Sequence, residues 1–278
     1  MNFSLCALLG VNVIYGISTL LFILNFVRTG EWTKKLANWT LSLGFVLASL
    51  FILHEWQIYE QGLPVTSLYQ ALFFFSWSMV FIYLLLAWRL KLDTFGLVFV
   101  PLILVMSLGS LFFYAKGTRP APMMPYLKDK WFVVHVVAAF LAYASFALSF
   151  VGALLYLVQN RELKSKSAGN FYQKLPPLEI LETVVYRTII LGFPLLTAAL
   201  ASGFIWTKKV FGVFWRWDSK VLLSTLTWLI YLAILYVHYI SSVRGRKVVM
   251  VSILAFCFVL LTFLGVNFFE NSIHNFLR

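Results

Sequence analysis

The chain has 278 residues and a net charge of +12, yet only 12% of its residues are charged and 62% are hydrophobic. Soluble domains carry roughly a quarter charged residues, so composition alone excludes an ordinary water-soluble enzyme. The basic excess does not point to nucleic acid either. The Lys and Arg sit in short loops between apolar runs, where they orient spans and meet headgroups, and no folded domain is left to hold a nucleic acid.

A helix needs about 20 apolar residues to cross the hydrocarbon core, and such a run must be helical because each backbone polar group is satisfied within the segment. The sequence predicts an all-α integral membrane protein, a polytopic bundle of about eight transmembrane helices, organised as a single transmembrane domain over residues 1–278. The first span covers 4–27. It lacks a basic leader and a small-residue cleavage site, so it is read as a span and not as a signal peptide. The second, 37–57, carries His54 beside Glu55. His54 is read as an interfacial or helix-packing histidine in an aromatic belt with Trp56 and Tyr59. The third and fourth spans are 67–88 and 94–114.

The fifth span, 131–158, holds His135 about one turn in, after Trp131. Ala138, Ala142, Ser145, Ser149 and Gly152 recur on one helical face, and small residues there admit either a neighbouring helix or a flat ligand. The sixth span is 180–206. The seventh, 219–240, places Ser224, Thr227, Tyr231 and His238 on one stripe, which is expected to face the bundle. The eighth is 248–269, and His274 follows it. Cys6 and Cys257 lie inside apolar runs with no C-x-x-C, which excludes a disulfide framework, a zinc site and a thiol-redox site.

Alternate loops carry unequal positive charge. Arg28, Lys34, Lys35, Arg89, Lys91, Arg161, Lys164, Lys166, Lys174, Arg244, Arg246 and Lys247 make 12 on one side. Lys116, Arg119, Lys128, Lys130, Lys208, Lys209, Arg216, Lys220 and Arg278 make 9 on the other. The first side is therefore expected in the cytoplasm and both termini outside. On this orientation His135 and His274 share the outer level. Two imidazoles there can hold one metal between them if their nitrogens stand about 4 Å apart, twice the usual metal–nitrogen bond. His238 is 21 residues beyond Trp217, about 30 Å along a helix, so it cannot share that metal and needs another ligand, such as one from a partner subunit.

Between the sixth and seventh spans the chain reads Trp206, then Phe211-Gly212-Val213-Phe214-Trp215-Arg216-Trp217-Asp218-Ser219-Lys220. Indole faces offer dispersion area to a large flat ligand, and Arg and Lys pair with carboxylates. Asp218 is expected to cap the seventh helix. The alternatives are an interfacial aromatic belt and simple headgroup contact.

This segment resembles the WWD signature of haem-handling proteins, and its flanks resemble the CcsA (ResC-type) cytochrome c biogenesis proteins of system II. The matching stretches are Trp131-Phe132-Val133-Val134-His135, Leu175-Pro176-Pro177-Leu178-Glu179, Gly192-Phe193-Pro194-Leu195-Leu196-Thr197, the tryptophan segment 206–220, Thr227-Trp228 through His238, Arg244-Gly245-Arg246, and Phe263-Leu264-Gly265-Val266-Asn267 leading to His274. The assembly signature is thus placed on 131–278. The resemblance implies a haem b site on the outer face ligated by His135 and His274, with Trp206, Trp215, Arg216, Trp217 and Asp218 around the macrocycle. It also implies an inner haem site involving His238, a CcsB-type (ResB-like) partner, an apocytochrome c substrate, and a role as a subunit of a cytochrome c synthase. The host membrane is expected to be the bacterial cytoplasmic membrane, with the plastid thylakoid as the alternative. Phe211, Phe214, Ser219 and Val221 stand where the family usually has Trp, Tyr, Pro and Glu. These departures leave a haem transporter, a chaperone or a HemX-like regulatory membrane protein as the competing function.

Overall fold

The computed structural model describes residues 3–28, 30–58, 62–90, 92–118, 120, 124–165, 174–241 and 245–263. His274 lies outside the described residues, so its expected role beside His135 has no structural counterpart below. Eight helices among the described residues are long and apolar enough to cross a membrane. They are α1 (Phe3–Arg28), α2 (Glu31–Ile58), α3 (Leu68–Leu90), α4 (Asp93–Ala115), α5 (Lys130–Ser165), α6 (Leu178–Phe211), α7 (Ser219–Ser241) and α8 (Arg246–Phe263). The protein is an all-α polytopic membrane protein, as the sequence predicts.

Packing divides the chain into two compact units, Met1–Lys128 and Asp129–Arg278. In the first unit α1 packs on α2 and α4, and α3 packs on α4 and α2. Close approaches are made over glycines. Tyr15 lies on Gly44, where a Cβ would fall 2.6 Å from the ring, and Phe22 lies on Gly96, where it would fall 2.3 Å away. At one end of the unit, Glu55 is buried at 3% exposure. Its carboxylate accepts from Ser4 Oγ at 3.0 Å, Tyr69 Oη at 3.3 Å and Gln70 Nε2 at 3.4 Å, joining α1, α2 and α3.

In the second unit α5 and α6 form the dominant pair, with α7 and α8 packed alongside. The small face of α5 meets α6, and Ser149 Oγ donates to the Val185 carbonyl at 3.2 Å. At Ser149 that face serves helix packing. Deeper in, Phe146 and Tyr231 stack at 3.6 Å with both rings fully buried, and Phe146 presses on Gly192 of α6. Thr227 and Tyr231 are buried as expected for a bundle-facing stripe on α7. α6 contains Pro194 in its interior and ends at Gly212, whose φ of +76° is left-handed and whose N–H donates to the Lys208 carbonyl. A residue with a Cβ is strained in that conformation, which explains glycine at this stop.

Candidate functional site

The turn between α6 and α7 is assembled by local rules. α6 runs five residues past its expected end, so Lys208 and Lys209 stand on its last turn, where cations face the negative end of the helix dipole. Asp218 precedes α7, and its carboxylate accepts the Lys220 backbone N–H at 2.8 Å while its carbonyl accepts that of Leu222. This is the predicted N-cap.

Aromatic and basic side chains interleave in the segment. Trp215 and Trp217 meet edge to face at 5.7 Å, and Trp215 also contacts Phe204 at 5.7 Å. The Lys208 ammonium sits 4.1 Å above the Phe214 ring, and the Arg216 guanidinium 4.3 Å above Phe211. Lys209 pairs with Asp129. Asp129 in turn accepts the Trp131 N–H at 2.9 Å and so caps α5. The hydrogen bond from Lys209, with Trp131 second, holds the Asp129 carboxyl below its ordinary range. Lys208, Lys209 and Arg216 therefore already have partners within the fold.

The tryptophans divide by burial. Trp217 is 84% exposed, whereas Trp206 is 4% exposed and packs between Phe132 of α5 at 5.2 Å and Phe211 at 6.1 Å. Trp215 is half-buried, and its indole N–H is buried with no hydrogen-bond partner among the described residues.

His135 is held by α6. Its Nδ1 lies 2.7 Å from the Ala199 carbonyl oxygen, and the ring rests on Gly203, where a Cβ would fall 2.7 Å from Nδ1. A carbonyl can only accept, so Nδ1 carries a proton. In the neutral ring this leaves Nε2 with its lone pair. Metal-binding histidines characteristically have the other ring nitrogen fixed this way. The sequence marks His135 but gives no sign of Gly203 as its seat; a glycine 68 positions away is visible only once α5 and α6 are paired.

His238 sits at the opposite end of the unit. Its ring lies 3.7 Å from Tyr186 of α6, and its Nδ1 is buried with no hydrogen-bond partner among the described residues. Tyr186 and Ala199 are 13 residues apart on α6, about 20 Å at 1.5 Å per residue. The two histidines thus occupy separate levels, as the depth argument requires. His54, in the first unit, contacts Phe3 of α1 at 4.2 Å, a helix-packing contact; Tyr59 of the expected belt lies outside the described residues.

These features define the class: an integral, multi-pass helical membrane protein with an aromatic and basic segment next to a histidine held by the Ala199 carbonyl. The family described as Cytochrome C assembly protein matches residues 65–274, and the chain belongs to that family. The match begins well before residue 131, so α3 and α4 are part of the signature. The chain is 30% identical over 229 residues to "Cytochrome c biogenesis protein CcsA" of Guillardia theta, covering 77% of this chain and 76% of that one. It is 28% identical over 312 residues to the protein of the same name from Pyropia yezoensis, covering 99% and 95%. It is also 31% identical over 252 residues to "Protein HemX" of Brevibacillus brevis, covering 91% and 92%.

Proposed function

We propose that this protein serves cytochrome c biogenesis by binding haem b and presenting it on the outer face of the membrane, where it is joined covalently to the CxxCH motif of an apocytochrome c. The observation that carries the reading is the His135 pose. Nδ1 is committed to the Ala199 carbonyl, so Nε2 is the nitrogen available to iron. Haem is the substrate. His135 and His274 hold its iron, Trp215 and Trp217 cover the macrocycle, and Arg216 with the neighbouring lysines faces the propionates. The thiols of the apocytochrome add across the two vinyl groups, each S–H supplying the sulfur and the hydrogen of one addition, so no outside oxidant is consumed. The apocytochrome histidine then replaces a protein ligand on iron. The chain contributes position and ligation and need not supply a nucleophile.

His238, on its separate level, receives haem from the cytoplasmic side, and a CcsB-type partner supplies the opposite ligand. The host is a bacterial cytoplasmic membrane or a thylakoid. Test the reading by purifying the wild type, His135→Ala, His238→Ala and His274→Ala and recording visible spectra. A Soret band weakened by His135→Ala and His274→Ala supports it. A wild type without the band refutes it.

A second reading is favoured by the HemX similarity over 91% of the chain and by Phe211, Phe214, Ser219 and Val221 in the tryptophan segment. It is a haem carrier or regulator that forms no covalent bond. Co-expression with a CcsB-type partner and an apocytochrome separates the two, since only the synthase yields haem that stays on the cytochrome after denaturation.

A further inference from the structure

Three pairs of rings meet across the α6–α7 seam. Tyr186 of α6 lies 3.7 Å from His238 of α7, and Phe193 stacks on Trp228 at 5.5 Å. Phe204 meets Trp215, in the turn before α7, at 5.7 Å. The three α6 rings fall on one stripe. Tyr186 and Phe204 are 18 residues apart, which is five whole turns, and Phe193, seven residues from Tyr186, is within about 20° of two turns. The steps along the stripe are about 10 and 16 Å of rise. Thr197 stands in the longer step, where its hydroxyl accepts the Trp228 indole N–H at 2.9 Å. All six rings are half-buried, so part of each faces out of the helix pair.

The interior between the same two levels is filled. The Phe146–Tyr231 stack lies at Gly192, six residues from Tyr186 and seven from Ala199 on α6. Both rings are 0% exposed, and Ile189 and Leu196, to either side of Gly192, are 0% and 1% exposed. Phe150 of α5 stacks on Phe256 of α8 at 4.7 Å. An interior packed in this way leaves no room for a macrocycle, so passage inside the four helices would require these rings to part.

We propose that haem moves between the His238 level and the tryptophan segment over the outer face of the α6–α7 seam, guided by this stripe of half-buried rings, and not through the interior of the four helices. Partly exposed aromatic faces and edges give a flat ligand stacking and dispersion area at each step. The stripe begins at the ring of one histidine and ends at Trp215, and those ends single out haem as the occupant. No bond is made or broken along the way. This inference rests on the haem reading of the preceding section.

The test is delivery. The chain is expressed with a CcsB-type partner in cells, where haem is supplied from the cytoplasm, and then purified. The quantity read is the His135-dependent part of the Soret band, taken as the difference from the same chain carrying His135→Ala. Trp228→Ala is expected to lower it roughly fivefold or more, and Trp228→Phe to keep most of it. Haem added to purified Trp228→Ala should restore it, because the outer site itself is intact. Wild-type outer haem in Trp228→Ala overturns the proposal, and so does a loss that added haem does not restore. If Trp228→Ala does not fold, Phe193→Leu is read in the same way. Phe146→Leu, which thins the interior layer, is expected to leave delivery unchanged, and an increase overturns the outer route. A wild type lacking the His135-dependent band removes the haem reading itself, whereas a wild type that has it beside an unaffected Trp228→Ala removes the route alone.

Discussion

Gly203→Ala tests whether the second helix sets the histidine geometry. The added Cβ would lie 2.7 Å from His135 Nδ1 and 3.0 Å from Cε1. Ordinary carbon contacts begin near 3.5 Å, so the ring must retreat by roughly 0.5–1 Å. The bond to the Ala199 carbonyl is only 2.7 Å long, and a retreat of that size breaks or badly weakens it. Losing the partner of a buried polar group costs about 1–3 kcal/mol, and losing the hydrogen bond behind a metal-binding histidine lowers metal affinity about 10–100-fold. Haem titration of the purified wild type, Gly203→Ala and His135→Ala, followed at the Soret band, measures this directly. Gly203→Ala should fall between the other two, and added imidazole should restore the band. If Gly203→Ala binds as tightly as the wild type while His135→Ala does not bind, the Ala199 contact is incidental and the argument from tautomer fails.

Trp217→Ala should leave stability within about 0.5 kcal/mol because the side chain is largely exposed, while weakening haem binding; Trp206→Ala should destabilise by roughly 3–5 kcal/mol. Thermal unfolding in detergent beside haem titration distinguishes the two. Asp129→Ala should cost about 1 kcal/mol through the lost cap, and Asp129→Asn should recover most of it. Since the folded carboxyl is held low by Lys209, its stabilising contribution is present above the unfolded value near 3.9 and is lost as pH falls through the folded one. Melts between pH 7 and 3 should therefore be flatter in acid for Asp129→Asn and Lys209→Met than for the wild type. His238→Ala should remove haem only from preparations that contain the CcsB-type partner and leave the His135-dependent band intact, which difference spectra of the two preparations will show.

The eight spans were legible because apolar length and helical rise act locally, and so were the Asp218 cap and the separation of His135 from His238. The helix ends were less so. α2 begins at Glu31, six residues before the expected start, because Thr33 and Lys34 close back on the Gly30 carbonyl, a turn that polar residues conceal in a hydropathy reading. α6 reaches Phe211 and carries Lys208 and Lys209 with it, which turns two supposed loop cations into helix-end cations with assigned partners. What could not be read depends on how helices pair. Gly203 seats His135 and Lys209 meets Asp129 only through the α5–α6 packing. Glu55, taken from sequence as a neighbour of His54, becomes a junction of three helices only when Ser4, Tyr69 and Gln70 converge on it. Trp206 and Trp217 are chemically alike in sequence, and burial alone separates them.

The α6 helix also behaves as a ruler. The carbonyl that fixes one histidine and the ring that lies against the other belong to the same rod, so their spacing and angular phase are set by a residue count. One inserted residue between Tyr186 and Ala199 would shift the two levels by 1.5 Å and rotate them by 100°, taking Tyr186 off the seam it shares with His238 or Ala199 off the one it shares with His135. Loops can lengthen without such a penalty. This stretch of helix cannot, and the distance between the two levels is thereby written into the chain as an integer.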